Sequence, residues 1–526
     1  MWDEAPRWSG WGPADAAPRE LPPAAGQLLS ALGVDPEARR RAVALEDVRL
    51  PDPALPEGVR DRLARVAAVY DDRLARVVHA AGKSYLDLVR LRAGDGTPAP
   101  DAVVVPGDAA AVGETLRVCA GAGVAVVPFG GGTSVVGGVE PFRGDLGAVV
   151  ALDLEALSGL SALDERSLVA VLGAGMRGPA VERALNERGY TLGHFPQSWE
   201  YASLGGMVVT RSAGQASTGY GRVDELLRGV TLVAPGARLA LPVRTPNAAG
   251  PDLREVVAGS EGTLGVVTEA ALSVRPRPEV SRYEGWSFAS FEAGAEAFRA
   301  LEHEDVSPDV ARLSDEAETA VNAAVAGASV QGCLAIVGWE GGEREVERRR
   351  AASARVLERS GGGALGRDPG AAWNRGRYDG PYLRDSLLDH GVLAETLETA
   401  TTWTGLHALH DAVAAALRGA LEARGTAPVV LCHVSHLYSV GASLYFTVIA
   451  RQEQGDEVAQ WQAAKAAACE AIVAQGATIT HHHAIGRDHA AYLEAEIGPT
   501  GIALLRAMKA ELDPAGILNP GKLLPS

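Results

Sequence analysis

The sequence predicts an α+β chain built in two parts, a strand-rich first half and a mixed second half. Three observations carry that prediction. Between residues 100 and 128 a short apolar run bounded by prolines, an amphipathic stretch and a second apolar run follow one another, which is a strand–helix–strand unit. From residue 279 to 450 apolar runs alternate again with Ala- and Arg-rich helical stretches, beyond a boundary marked by Pro276 and Pro278. Four segments of the first half set Gly beside Ser or Thr more often than turns alone require.

The elements follow in chain order. Met1 to Pro23 is a polar, Pro-rich tail with three Trp, and Asp61 to Ala80 has helical spacing, so residues 1–95 read as a tail and a helical arm that packs on a larger body. The run Pro100 to Pro106 reads as a strand, Ala109 to Gly123 as a helix and Val124 to Pro128 as a strand. Further strands are expected at Ala148 to Leu152, Leu168 to Leu172 and Gly229 to Val233, with a helix at Gly178 to Arg188. In the second half, Leu334 to Trp339, Pro428 to Leu431 and Leu444 to Ala450 read as strands, Ala459 to Gln475 as a long helix, and Ala477 to Thr480 as a Thr-rich strand end. A last helix opens the stretch from Ile502 to Leu524. No repeat of fixed period is present.

Composition excludes several function classes. Lys plus Arg number 49 and Asp plus Glu 66, giving a net charge of −17, which argues against nucleic-acid binding and gives no electrostatic pull toward an anionic membrane. Apolar residues make up 47% of the chain, ample for large cores. The four cysteines, Cys119, Cys333, Cys432 and Cys469, form no CxxC pair and no zinc spacing. That usage fits a reducing compartment, and no metal is expected. The N-terminus lacks a basic region followed by an apolar stretch, and no run approaches the roughly 18 apolar residues of a membrane span. The expectation is a soluble, cytoplasmic chain.

The chemistry concentrates in small-residue loops. Pro128-Phe129-Gly130-Gly131-Gly132-Thr133-Ser134 follows a strand, and consecutive Gly let successive N–H groups converge on an anion such as a pyrophosphate. It matches neither GxGxxG nor the P-loop. Gln197-Ser198-Trp199-Glu200-Tyr201-Ala202-Ser203, Thr210-Arg211-Ser212-Ala213 and Gly259-Ser260-Glu261-Gly262-Thr263-Leu264-Gly265 repeat the pattern. A large cofactor held by backbone amides and hydroxyls explains the repetition. In the second half His481-His482-His483 leads into Ala484-Ile485-Gly486, and imidazole exchanges protons near neutrality. Cys432-His433-Val434-Ser435-His436 precedes Ser443-Leu444-Tyr445-Phe446-Thr447, where strand alternation puts Tyr445 and Thr447 on one face. Tyr445 alone reads as an ordinary half-buried strand aromatic, and Arg312 alone as a surface arginine.

Together these segments resemble the flavin-binding domain of the vanillyl-alcohol oxidase/p-cresol methylhydroxylase superfamily, and within it the alkyldihydroxyacetonephosphate synthase family, particularly its bacterial members. The resemblance runs from about Ser30 to the C-terminus. It implies an FAD-binding domain at 96–277 in two parts, an α+β substrate cap at 278–475, and a segment at 476–526 that returns to the flavin and the active site. It implies that Pro128 to Ser134 cradle the FAD pyrophosphate, that Gln197 to Ser203 and Thr210 to Ala213 line the ribityl and ring region, and that Gly259 to Gly265 close over the cofactor. Position 129 is Phe, where some relatives tether the flavin through a His, so FAD is expected to be non-covalent.

By the same resemblance Tyr445, His481, His482, His483 and Arg312 are catalytic, with His433 and His436 at the substrate. Gly380 to Asp385 and Glu395 to Thr399 match cap segments. Eukaryotic members carry an arginine, associated with the substrate phosphate, where this chain has His433. The implied activity exchanges the acyl chain of acyl-dihydroxyacetone phosphate for a fatty alcohol in ether-lipid synthesis, with no net redox change. A lipid-like substrate implies a hydrophobic tunnel and peripheral contact with the inner face of a membrane, and the family implies a homodimer. The alternative is an FAD-dependent dehydrogenase of a 2-hydroxy acid such as D-lactate, glycolate or D-2-hydroxyglutarate. For that alternative the Asp-Gly-Asn core of its motif is missing, since the chain reads Ser435-His436-Leu437-Tyr438. A non-catalytic flavin- or lipid-binding protein is a third class.

Overall fold

Why the chain folds into three large sheets and a two-stranded one follows from where its apolar runs can pair. The computed structural model describes residues 7–524, apart from 15, 17, 18, 23, 24, 327 and 328. Ala68–Tyr70 (β1), Ala102–Val105 (β2), Val124–Phe129 (β3) and Ala148–Asp153 (β4) form a sheet in the order β1-β2-β4-β3. β2, β4 and β3 run parallel and are buried along nearly their whole length, as strands covered on both faces must be. The crossover helix Ala109–Ala122 starts on Asp108, whose carboxylate accepts from Ala111 N at 2.8 Å, and stops at left-handed Gly123. Its Val112, Leu116 and Cys119 share a core with Val104, Val126 and Val150. Ile517 and Leu518, from the far end of the chain, complete that core.

The expected helix over Asp61 to Ala80 is interrupted. It resolves into helices Glu57–Ala64 and Arg73–Val78 with β1 between them, paired antiparallel with β2. The edge of β2 offers backbone partners to Ala68-Val69-Tyr70, and Asp72 restarts the helix by accepting from Ala75 N at 3.0 Å. The arm is therefore part of the first sheet as well as packing against it.

Leu160–Asp164 (β5), Val169–Gly173 (β6), Tyr190–Thr191 (β7), Leu227–Val233 (β8), Arg238–Leu241 (β9), Val266–Ser273 (β10) and Arg275–Pro276 (β11) follow. Five of them make an antiparallel sheet in the order β5-β6-β10-β8-β9, and β7 pairs with β11. Helices Gly178–Asn186 and Leu204–Val209 bury Val181, Leu185, Leu204 and Val208 against this sheet.

The third sheet has seven strands: Val280–Phe288 (β12), Val310–Ser314 (β13), Cys333–Gly341 (β14), Gly363–Gly366 (β15), Val392–Thr402 (β16), Val429–Tyr438 (β17) and Gly441–Arg451 (β18). Their order is β15-β12-β14-β13-β17-β18-β16, and every pair is antiparallel. Helices Phe291–His303, Glu343–Arg359, Leu406–Glu422 and Glu457–Ala474 contribute Phe298, Leu357, Leu417 and Trp461 to its core. The opposite face of β13, β16, β17 and β18 looks onto the site. β17 runs past Leu431 to Tyr438 because β18 offers it partners throughout. Ala477 to Thr480 is not a strand; it makes a single bridge, Thr478 to Ala400. The last helix starts at Leu493 rather than near Ile502 and bends at Gly498-Pro499. No helix among the described residues is long and apolar enough to cross a membrane.

Candidate active site

A cavity of about 580 Å3 lies where the Gly loop after β3, the inward face of the third sheet and the histidine run meet. One wall is backbone. Gly130 and Gly131 run hard against residues 201–203: a Cβ on Gly130 would sit 1.9 Å from Ser203 Oγ, and one on Gly131 1.8 Å from Tyr201 O. Only Gly can occupy these two positions. The price of that packing is that the N–H groups of Gly130, Gly131, Gly132, Thr133 and Ser134 find no acceptor among the described residues. Buried amides without acceptors cost about 1–3 kcal/mol each. Gly131 and Gly132 are buried and the other three are half-buried beside the cavity, an arrangement that suits an anion such as a pyrophosphate.

The other small-residue segments divide. Gln197, Ser198, Ala202, Ser203, Thr210, Ser212, Ala213, Glu261, Gly262 and Gly265 line the cavity. The side chains of Trp199, Glu200, Tyr201, Arg211, Ser260, Thr263 and Leu264 do not, nor does Gly259. Arg211 binds Asp224 at 3.2 Å, Glu255 at 2.6 Å and the carbonyl of Ala258 at 3.0 Å, all behind the wall. Glu200 accepts from Trp11 Nε1 and Tyr382 Oη, tying the N-terminal segment to the cap. Trp199 stacks on Tyr378 at 5.5 Å, and Tyr201 meets Trp11 edge-on at 5.1 Å. Thr263 donates to Ser260 O at 2.7 Å within its own turn. Polarity next to Gly was thus an imperfect guide: some of it fastens the wall rather than facing the cavity. Asn519 was missed; its side chain donates to Gly138 O at 3.1 Å and Glu261 O at 2.7 Å, and it lines the cavity from the C-terminus.

The second wall is side-chain chemistry set by strand register. His433 and Tyr445 are paired across β17 and β18, their rings stacked at 5.0 Å. Tyr445, Thr447 and Ile449 all line the cavity, as two-residue periodicity requires. A register shift between Val434 and Leu437 turns Ser435 and His436 toward the cavity together. His482 and His483 approach Tyr445 to 6.0 and 5.5 Å between ring centres. His481 does not line the cavity; its Nε2 meets Tyr438 Oη at 2.6 Å and its Nδ1 meets His482 Nδ1 at 2.9 Å. His436 Nδ1 in turn meets Ser217 Oγ at 2.6 Å. Arg312 is not a surface residue: it donates to Glu318 at 2.7 Å and to His433 Nε2 at 2.9 Å.

Burial fixes the protonation states. It pushes the Tyr445 phenol up to about 12 and the His483 imidazole down to about 3, the latter against the pull of Glu398. His481, His482 and His436 are lowered by burial in the same way. Glu318 moves oppositely: burial would raise it, but the Arg312 guanidinium and His433 hold it below the usual carboxylate range. At neutral pH the site therefore presents a neutral phenol beside neutral imidazoles. His436, His481 and His482 bring one nitrogen each within 4.8 Å of one another, close enough to share a divalent ion. Hydrogen bonds to Ser217, to Tyr438 and between His481 and His482 already occupy several of those nitrogens.

A Gly-loop half with a cradle of free amides, facing a sheet cap with its own aromatic and imidazole groups, defines a flavoprotein of the FAD-linked oxidase class. Residues 100–240 match the FAD binding domain family and residues 277–523 the C-terminal domain of FAD linked oxidases. The fold alone is shared with p-cresol methylhydroxylase with substrate bound, 14% identical, at a TM-score of 0.68 over 90% of this chain and 98% of that one. A solved alkyldihydroxyacetonephosphate synthase is nearer, 27% identical with a TM-score of 0.86 over 99% of both chains. The alkyldihydroxyacetonephosphate synthase of Trypanosoma brucei brucei is 34% identical over 91% of this chain and 82% of its own length. The chain belongs to the alkyldihydroxyacetonephosphate synthase family, and it is an FAD enzyme.

Proposed function

We propose that the protein exchanges the acyl chain of an acyl-dihydroxyacetone phosphate for a long-chain alcohol, forming an ether lipid precursor and a fatty acid. One observation carries this reading beyond family membership. Beyond Tyr445 the lining of the cavity turns apolar at Leu431 and Ile449 on β17 and β18, and Leu21, Ala25, Leu28 and Val321 also line it. Tyr445 and Ile449 are four residues apart on one strand, so apolar lining reaches about 13 Å along the strand from the tyrosine at about 3.3 Å per residue. A small 2-hydroxy acid needs no such lining, whereas an aliphatic chain does.

The residues assign themselves roles within that reaction. The ester C–O bond of the substrate breaks and a C–O bond to the alcohol oxygen forms, with the alcohol proton ending on the departing carboxylate or solvent. His482 and His483, held neutral, offer ring nitrogens that accept a hydrogen bond from the alcohol hydroxyl and orient it. Tyr445, held protonated, donates a hydrogen bond to the substrate oxygen. Arg312 brings the guanidinium of the polar end, fixed by Glu318 and His433. The amides of Gly130 to Ser134 would hold FAD non-covalently, and its ring, when bound, would supply a reversible electron-pair acceptor, so that the exchange is redox-neutral. An active homodimer that meets the inner face of a membrane through apolar surface completes the proposal.

Incubation of the flavin-loaded protein with acyl-dihydroxyacetone phosphate and a long-chain alcohol tests it. Ether product is expected. No ether from flavin-loaded protein, with bleaching of the flavin by D-lactate, glycolate or D-2-hydroxyglutarate, would overturn it.

A further inference from the structure

Two buried carboxylates outside the reacting groups converge on the histidine run from opposite sides. Glu398, on β16 of the third sheet and 2% exposed, accepts from His481 N at 2.6 Å, His482 N at 3.1 Å, His483 N at 2.8 Å and Thr480 Oγ1 at 2.5 Å. Glu261, in the small-residue loop before β10, accepts from Ile485 N at 2.8 Å and Gly486 N at 2.7 Å. Between the two grips lies Ala484, at a φ of 73° that L residues rarely adopt. The run itself belongs to no helix or strand. Five of its backbone N–H groups therefore depend on two side chains, one from each half of the molecule. Several N–H groups converging on one side chain fix a backbone closely, and the Glu398 carboxylate, held ionised by the histidines, is the stronger acceptor of the two.

We infer that Glu398 and Glu261 are positioning residues that clamp the histidine run between the cap sheet and the flavin-binding half, so that His482 and His483 reach Tyr445 only when both halves are docked. The inference rests on the reading of the run as the reacting end of the site. It assigns neither carboxylate a contact with substrate. Glu261 lies in a segment whose sequence suggested cofactor contact; its carboxylate holds Ile485 and Gly486.

Amide hydrogen exchange on the flavin-loaded protein tests the clamp without reference to substrate. In Glu398→Gln, exchange at 481–483 is expected to rise roughly tenfold or more, and in Glu261→Gln the rise falls on 485 and 486. Flavin remains bound in Glu398→Gln, and the flavin content of Glu261→Gln, whose residue also lines the cavity, is read beside its exchange. In the exchange reaction each variant loses kcat with KM for the alcohol unchanged, and the double variant loses less than the product of the two single losses, because both act through one segment. If Glu398→Gln loads no flavin, Glu261→Gln carries the test from the other end. Unchanged exchange across 481–486 overturns the clamp, as does a rise spread evenly over the whole cap, or losses that multiply. Failure of the two readings is distinguishable. Altered exchange without ether formation by the wild type removes the proposed reaction and leaves the clamp, whereas ether formation with unaltered exchange removes the clamp alone.

Discussion

The two walls of the cavity solve their binding problems with opposite parts of the chain. The Gly-loop wall works with the backbone: its residues are small so that N–H groups can approach an anion, and the packing of Gly130 and Gly131 on residues 201–203 leaves no room for any side chain. The cap wall works with side chains: β17 and β18 carry His433 and Tyr445 at paired positions, and the surrounding sheet keeps them neutral by keeping water out. A backbone site is intolerant of added atoms. A side-chain site tolerates change in shape but not in functional group.

That contrast makes a series of predictions. The largest effect is expected from Gly131→Val, whose branched side chain would meet the carbonyl of Tyr201. The flavin-to-protein ratio of the purified variant should fall to near zero, and full loading would break the contrast. Next comes Tyr445→Phe, which removes one oxygen from the cap wall. Turnover should fall by roughly 10²–10⁴-fold, the usual worth of a positioned acid, while flavin loading is unchanged. A loss of flavin in this variant would show that the walls are not separable.

The pH dependence of stability is a smaller effect with a definite sign. His483 is depressed to about 3 in the folded protein, against about 6.5 when unfolded. Between these values the unfolded chain binds the extra proton, so this group contributes stability that is complete above about pH 6.5 and is lost as pH falls toward 3, by up to about 1.4 kcal/mol per pH unit. Glu261, raised to about 7 by burial, acts with the opposite sign: its contribution is present below about 4.5 and lost as pH rises through 7. Melting curves of wild type and His483→Gln should therefore converge as pH is lowered from 7 to 5. Parallel curves would deny the depressed imidazole. The smallest effect concerns Ala484, in the left-handed region between the two carboxylate grips. Ala484→Gly should change stability by less than about 1 kcal/mol and keep activity, because relief of φ strain offsets the added freedom of the unfolded chain. Ala484→Val should destabilise clearly more, read as a lower melting temperature.

The two walls were also unequally legible. The Gly loop, the strand before it and the helix Ala109–Ala122 are local: close sequence neighbours make the turn, the cap and the periodicity, so composition reveals them. The histidine run was visible for the same reason, as a rare composition in one place. Arg312 and Tyr445 gained chemical meaning only from resemblance, since strand periodicity places a side chain on a face but does not say what the face looks at. Glu398, Glu318 and Asn519 gave no signal of their own, because each acts on groups far along the chain. Arg211 misled for the converse reason: it sits among cofactor-facing neighbours, yet its partners Asp224 and Glu255 turn it outward. The helix expected over Asp61 to Ala80 broke because an open edge on β2 competed with helical propensity.

By itself the sequence determined the strand–helix–strand unit of the first sheet, where small residues free the backbone amides, and which titratable groups are present, because these depend on interactions within a few residues. Only the tertiary structure decided which of those groups meet, how deeply they are desolvated, and that two carboxylates from different halves hold the histidines in place. Those outcomes depend on long-range packing and on the exclusion of water, and no short stretch of chain contains either.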